Sequence, residues 1–372
     1  MSMDIVGAKL VRSPGLTGEH VRALTERAGG DRARLCDPEV VAQVDLPAAA
    51  RAFLQKPDEG AIGADLDWLR ASGARLVLWG AGDYPPQLAA IPGPPAALYV
   101  LGDIAVLQSP QLAMVGARSA SPIGRAIARD LAGALAQTGL TITSGLAVGI
   151  DAASHEGALA AGGRTVAVLG TGLDRVYPAE NAGLATRIRA AGALVSEFPP
   201  RTGAQRRHFP QRNRIISGLA LGTLVVEAAE GSGSLITAEQ ALQQGREVFA
   251  VPGSIRSPLS RGCHQLIRDG AQLVAEPADV LAGLQFDQLF QRLTHRDRSR
   301  AGGAGPPPAE GAPLDKEYEM LLDALGFEPA TIDTLVARSG LSGESIASML
   351  LILELEGRIA PFPGGLYGRL SR

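Results

Sequence analysis

Aromatic residues make up only 4% of this 372-residue chain, and lysine occurs just three times, as Lys9, Lys56 and Lys316. With so few rings, a core must be assembled from Ala, Val, Leu and Ile. The 46% hydrophobic content suffices for an ordinary globular protein. The scarcity of lysine leaves positive charge to arginine, whose planar fork suits phosphate oxygens; a coding bias toward arginine explains the same skew. Cysteine is nearly absent. Cys36 and Cys263 are too far apart to form a metal-type pair, and the expectation is two reduced, buried thiols in a cytoplasmic protein. The start, Met-Ser-Met-Asp-Ile-Val-Gly, lacks signal-peptide architecture, and no apolar run reaches the roughly 18 residues of a membrane span. A cytosolic protein with no membrane association is expected. The net charge of −3 argues against wholesale coating of a polyanion, so any such binding must sit on local patches. The histidines, His20, His155, His208, His264 and His295, show no metal-ligand spacing. Neither Gly-x-Gly-x-x-Gly nor Gly-x-x-x-x-Gly-Lys-Ser/Thr occurs, which counts against a dinucleotide site and removes a P-loop.

What the chain does have is glycine, 46 residues of it, and a regular alternation. Short helical patterns come first: Gly18–Ala28, with Thr17 as its cap, and another starting at Pro38. Leu76–Trp79 reads as a strand. Strands are then expected at Leu112–Val115, Thr141–Thr143, Thr165–Leu169, Ala193–Ser196, Thr223–Val226 and Val248–Val251. Between and after them, helices are expected at Gly124–Thr138, Ile150–Ala161, Asn181–Ala191, Arg212–Ala220, Ser234–Gln244 and His264–Asp269. Continuous apolar strands between amphipathic helices indicate a parallel sheet covered on both faces. A Gly/Pro-rich linker comes next. Tyr318–Leu325, Thr331–Ser339 and Ser342–Glu356 then read as helices, and Arg358–Phe362 with Leu366–Leu370 as a hairpin, which is the winged-helix arrangement.

Charge concentrates at one place. Arg201, Arg206, Arg207, Arg212 and Arg214 fall within fourteen residues that contain no acid, with Phe209 among them. Crowded guanidinium groups favour an arriving anion, and a ring among them offers a stacking surface for a base, which points to a single-stranded nucleic acid. Other loops at the carboxyl ends of strands are amide-rich. Val115–Gly124 opens a helix and carries Arg118, Ser119 and Ser121. Thr143–Asp151 holds Ser144 and Gly145, with Asp151 serving either the helix dipole or a ligand. Gly170–Pro178 holds Gly172 and Arg175. Glu230–Thr237 holds Ser232, Gly233 and Ser234. Arginine at a helix start opposes the dipole, so Arg212, next to Asn213, needs an anion or a carboxylate such as Glu227. No nucleophile, acid–base pair or cofactor site is recognisable, which favours binding over turnover.

These residues resemble the DNA-processing protein A family. The resemblance rests on Val115-Gly116-Ala117-Arg118, Ser144 through Asp151, Leu169 through Asp174, Phe209 through Gly218, Ser232 through Ala238, Val251-Pro252-Gly253-Ser254 and Gly262 through Ile267, in the family's order. Asp83-Tyr84-Pro85-Pro86 and Leu98-Tyr99 fit upstream. It implies an α/β chain with a small helical (SAM-like) domain over residues 1–65, an extended Rossmann-like DNA-binding domain over 66–290, a flexible linker over 291–312 and a winged-helix domain over 313–372. It further implies single-stranded DNA binding without catalysis or cofactor, homodimers, and delivery of incoming DNA to the RecA recombinase during natural transformation. Arg118 and Arg206 are implied to meet the strand, with Phe209 stacking. Gly203, Arg207, Arg212 and Asn213 complete the expected surface with the loop residues above. The chain departs from the family at Ala179 and Gly231, where basic residues are frequent; Arg175 and Arg207 are the candidates to compensate. A rival enzyme reading, a phosphoribohydrolase, rests on the loose likeness of Gly231–Glu239 to that class's glycine-rich signature. The winged-helix segment 341–357 has no Lys or Arg but contains Glu344, Glu354 and Glu356, so a protein-contact or dimer-supporting role is expected there rather than DNA binding.

Overall fold

A computed structural model of the chain describes residues 3–286 and, further on, 321, 324–325, 330–343, 345–346, 349–350, 353, 359–362 and 366–369. The chain divides into two compact units, Met1–Leu293 and Thr294–Arg372.

Five helices open the first unit: α1 (Met3–Arg12), α2 (Gly18–Arg27), α3 (Pro38–Ala42), α4 (Ala48–Gln55) and α5 (Glu59–Ser72). Val6, Leu10, Val21, Leu24, Val40 and Val41 form their core, closed against Leu78, Ala96 and Ala97 of the sheet region. Cys36 lies in this cluster and Cys263 in the main core; both thiols are free and buried, and burial pushes Cys263 up to about 11.

Nine strands come after them: β1 (Arg75–Leu78), β2 (Ala97–Gly102), β3 (Gln111–Val115), β4 (Thr141–Ser144), β5 (Thr165–Val168), β6 (Ala193–Ser196), β7 (Gly222–Val225), β8 (Glu247–Ala250) and β9 (Gln272–Leu273). Their order in the sheet is β1-β2-β6-β5-β4-β3-β7-β8-β9. From β6 through β9 every pair is parallel, whereas β1–β2 and β2–β6 are antiparallel. The expected parallel sheet is thus extended at that edge by two antiparallel strands. β2 was not anticipated, because the prolines just before it read as a turn region.

The connecting helices are α6 (Pro86–Ala89), α7 (Pro122–Gln137), α8 (Ile150–Ala160), α9 (Ala182–Ala191), α10 (His208–Leu219), α11 (Gly233–Gln243), α12 (Arg261–Arg268) and α13 (Pro277–Gly283). Successive strand residues feed opposite faces. Ala113 and Val115 pack with Ile215, Ile216 and Leu219 of α10 and Ala238 of α11. Leu112 and Met114 pack with Leu131 and Leu135 of α7 and Ile150 of α8. The chain winds outward from β3 to β6, returns through α10, and winds the other way from β7. The reversal lies between β3 and β7, and a crevice opens at their carboxyl ends.

α10 begins at His208, a turn earlier than its sequence suggested, which sets Pro210 third in the helix. A first-turn N–H has no partner within the helix, so proline is tolerated there.

In the second unit, Ala330–Thr331, Leu366–Arg369 and Ile359–Phe362 form an antiparallel sheet beside the helix Ile332–Ser339. Leu321, Leu325, Leu335, Ile346, Leu350, Leu353 and Ile359 are buried together. The expected linker 291–312 lies outside the described residues, as do large parts of the expected helices Tyr318–Leu325 and Ser342–Glu356.

Candidate nucleic-acid interface

The crevice at the switch point is an open cleft of about 730 Å³. It takes residues from the loops after β3, β4, β5, β6, β7 and β8 and from α10. Arg118, Ser119, Arg206, Phe209, Arg212, Asn213, Ser232, Gly233 and Ser234 all line it, so nine expected residues from three separated segments meet at one place.

Its shape depends on tightly packed turns. Gly149 has φ +88°, and a Cβ there would lie 2.2 Å from the Ala117 carbonyl. The same carbonyl accepts from the Ile150 amide at 3.2 Å, so the β3 and β4 loops are locked together. Ala117 N donates to Glu227 O at 2.7 Å. The Glu227 carboxylate accepts from Ser121 N at 2.9 Å and Ser121 Oγ at 2.6 Å. Glu227 therefore fixes the Arg118 loop and is not the counter-charge for Arg212 that the sequence had suggested.

That counter-charge comes from Asp151 and from backbone. Arg212 is buried, and one terminal nitrogen donates to Gly145 O at 2.5 Å and Val168 O at 2.6 Å. Desolvation lowers its pKa to about 10; Asp151 opposes the shift and Arg118 adds to it. Asp151 accepts from Gly145 N at 3.1 Å and Ala147 N at 3.3 Å. Burial raises the Asp151 pKa, while Arg212 and the two amides act against the rise. Ser144 is buried and donates to Met114 O at 2.6 Å. Gly172 is buried too, its N–H donating to Thr202 O at 3.0 Å. Ser144, Gly145, Gly172 and Arg212 were expected to touch the ligand. Arg212 lines the cleft, whereas Ser144, Gly145 and Gly172 do not, and their hydrogen bonds hold them within the protein.

The crowding of arginine resolves in the same way. Arg201 pairs with Asp65 at 3.2 Å, and Arg214 pairs with Glu197 and donates to Gly93 O at 2.9 Å. Arg118, Arg206 and Arg207 are exposed and have no carboxylate partner among the described residues. The Arg118 guanidinium lies 5.3 Å from the centre of the Phe209 ring, which remains half-exposed. This contact holds a cation and a stacking face side by side. Arg207, Arg175 and Gly203 lie outside the cleft lining, with Arg175 exposed 3.8 Å from Asp174. Asn213 ties α10 to the next loop through Gly233 O at 3.4 Å. The Ser232 and Ser234 hydroxyls contact each other at 2.8 Å beside the start of α11.

Sequence reading missed Tyr177. It is 51% exposed and lines the cleft, its ring 5.8 Å from Phe209 at 44°. The signal available was an aromatic in a loop at a strand's carboxyl end, in a chain with few aromatics. Among the described residues, no three His, Cys, Asp or Glu side chains are placed to hold a metal ion, and no helix is long and apolar enough to cross a membrane.

A doubly wound sheet with a cation- and ring-lined cleft at its switch point places the chain among Rossmann-like α/β proteins. It belongs to the DNA recombination-mediator protein A family, whose profile matches residues 75–285; that of the DprA winged helix domain matches 305–365. Protein Smf of Escherichia coli is 44% identical over 324 residues, covering 87% of this chain and 84% of that one. The DNA processing protein DprA of Streptococcus pneumoniae is 46% identical over 203 residues, covering 55% of this chain and 72% of that one. Among solved structures, DNA processing protein A of Streptococcus pneumoniae superimposes with a TM-score of 0.66 at 36% identity, over 76% of this chain and 97% of that one. The Helicobacter pylori protein, described for its single-stranded DNA binding mode, superimposes with a TM-score of 0.53 at 27% identity, over 57% of this chain and 96% of that one.

Proposed function

We propose that this protein binds single-stranded DNA in the switch-point cleft and hands it to a RecA recombinase, acting as a cytoplasmic homodimer that makes and breaks no bond. The observation that carries the reading is the convergence of Arg118, Arg206 and Phe209 on one open cleft, with Arg118 against the Phe209 ring. Guanidinium groups without carboxylate partners suit phosphates, and Phe209 with Tyr177 offers faces on which unpaired bases stack. A duplex hides those faces, so the arrangement favours a single strand. Membership of a recombination-mediator family and the single-strand binding described for the Helicobacter pylori relative support the same reading.

The test is fluorescence anisotropy with single- and double-stranded oligonucleotides across a salt series, for wild type, Arg118→Ala and Arg206→Ala. Each substitution should flatten the log–log salt dependence by roughly 0.7 per lost phosphate contact. Unchanged slopes in both variants would overturn the reading. Release of free base from a nucleotide by the purified protein would favour a phosphoribohydrolase instead.

A further inference from the structure

The carboxylate of Asp65, in α5 of the N-terminal helical segment, is fully buried yet engages two arginines. Arg12 of α1 holds both its oxygens, at 2.6 and 2.7 Å, and the Tyr99 hydroxyl lies 3.3 Å from one of them. That bidentate pair already neutralises the carboxylate. The second arginine is Arg201, whose guanidinium reaches Asp65 at 3.2 Å and the Ala61 carbonyl at 3.4 Å. Arg201 opens the arginine-rich segment. Its backbone sits at φ +69°, a region that a side-chain-bearing residue occupies only when its surroundings hold it there. Its amide donates to Asp174 at 2.8 Å, and the next residue, Thr202, accepts from Gly172 N at 3.0 Å.

The far end of the segment is fixed as well. His208 stacks on Phe198 at 4.2 Å and lies 3.2 Å from Gly170 O. Between the two anchors run Gly203 to Arg207, including both unpartnered arginines of the run. A span tethered at both ends samples few conformations; releasing one end spreads its side chains over many.

We infer that Asp65 is a positioning residue for the strand site: through Arg201 it fixes the span that presents Arg206 and Arg207. The helical segment thereby becomes part of the binding apparatus. The inference rests on the single-strand reading proposed for the cleft.

The experiment is anisotropy with a fluorescent oligo-dT across salt, on the full chain, for wild type, Asp65→Asn, Arg206→Ala/Arg207→Ala and their combination. Asp65→Asn should weaken binding about tenfold and flatten the slope by roughly 0.7, one phosphate contact. In the Arg206→Ala/Arg207→Ala background it should change nothing further. A general loss of stability lowers the active fraction without altering the slope, so that result would overturn the inference. So would tighter binding with a steeper slope, the behaviour expected if Asp65 merely restrains Arg201 from touching DNA. Should Asp65→Asn fail to fold, Arg201→Met leaves the Asp65–Arg12 pair intact and carries the test. Flattening that disappears in the Arg206→Ala/Arg207→Ala background supports positioning; flattening that persists there marks Arg201 as a direct contact and overturns it. Arg118→Ala, run in parallel, separates the two claims. If it too leaves binding unaltered, the single-strand reading fails; if it weakens binding while Asp65→Asn does not, only the positioning role fails.

Discussion

At the residue scale, an enclosed charge and a free one do different work, and the arginines of the cleft divide along that line. Arg212 holds the carbonyls of Gly145 and Val168 and faces Asp151. Arg212→Met removes its bonds to those carbonyls and leaves a buried carboxylate without its counter-charge, so it should cost about 3–5 kcal/mol of folding stability. Urea denaturation measures that loss. Any folded fraction should retain a near-normal salt slope, in contrast to Arg118→Ala. This division was partly legible beforehand. Arg212, Ile215, Ile216 and Leu219 fall at i, i+3, i+4 and i+7, which puts Arg212 on the apolar stripe of α10. No comparable pattern marks Arg201 or Arg214, because their partners, Asp65 and Glu197, come from other segments. Phe209 is the other side of the comparison. With its ring half-exposed beside Arg118 and Tyr177, Phe209→Ala should cost about 1–3 kcal/mol of single-strand affinity and leave the salt slope unchanged. A change in slope without a change in affinity at low salt would contradict stacking.

At the scale of elements, the central strands were readable because each is a short apolar run between turn residues, and the observed bounds differ from expectation by a residue or so. β2 was not. Its antiparallel partners are remote in sequence, and Pro92, Pro94 and Pro95 dominate the local pattern. Polar links between elements were equally hidden. His155 of α8 is fully buried, with Nδ1 2.6 Å from Thr165 Oγ of β5. The Thr165 hydroxyl donates to Ile142 O of β4, so it accepts from His155, and the bare Nε2 has no partner. Desolvation, aided by Arg212, lowers the imidazole pKa from 6.5 to about 3. Between those values the unfolded chain binds the extra proton and the folded chain does not. The associated stability is fully present above about pH 6.5 and is lost as pH falls toward 3, at up to about 1.4 kcal/mol per pH unit. Urea midpoints from pH 7 to 4 should fall accordingly. His155→Leu should flatten that dependence, and an unchanged profile in the variant would assign the acid sensitivity elsewhere.

At the scale of the whole molecule, a net charge of −3 coexists with a cleft whose exposed charges are guanidinium groups, so affinity for a polyanion must come from one region. The cleft's lining comes entirely from residues 115–259, inside the first compact unit. The winged-helix segment 341–357 contributes no lysine or arginine and carries Glu344, Glu354 and Glu356. A segment of that charge set against phosphates is repelled, whereas a protein surface can accept it. Truncation after Gln291 should therefore leave single-strand affinity within a few-fold of the full chain and the salt slope unaltered, because no phosphate contact is removed. Anisotropy on the two chains, side by side across salt, decides the matter. A loss of about a hundredfold with a flatter slope would mean that the second unit meets the strand directly, through residues other than the acidic stretch 341–357. If affinity is kept but the proposed hand-over of the strand to a recombinase fails, the second unit acts through protein contacts, as its charge implies.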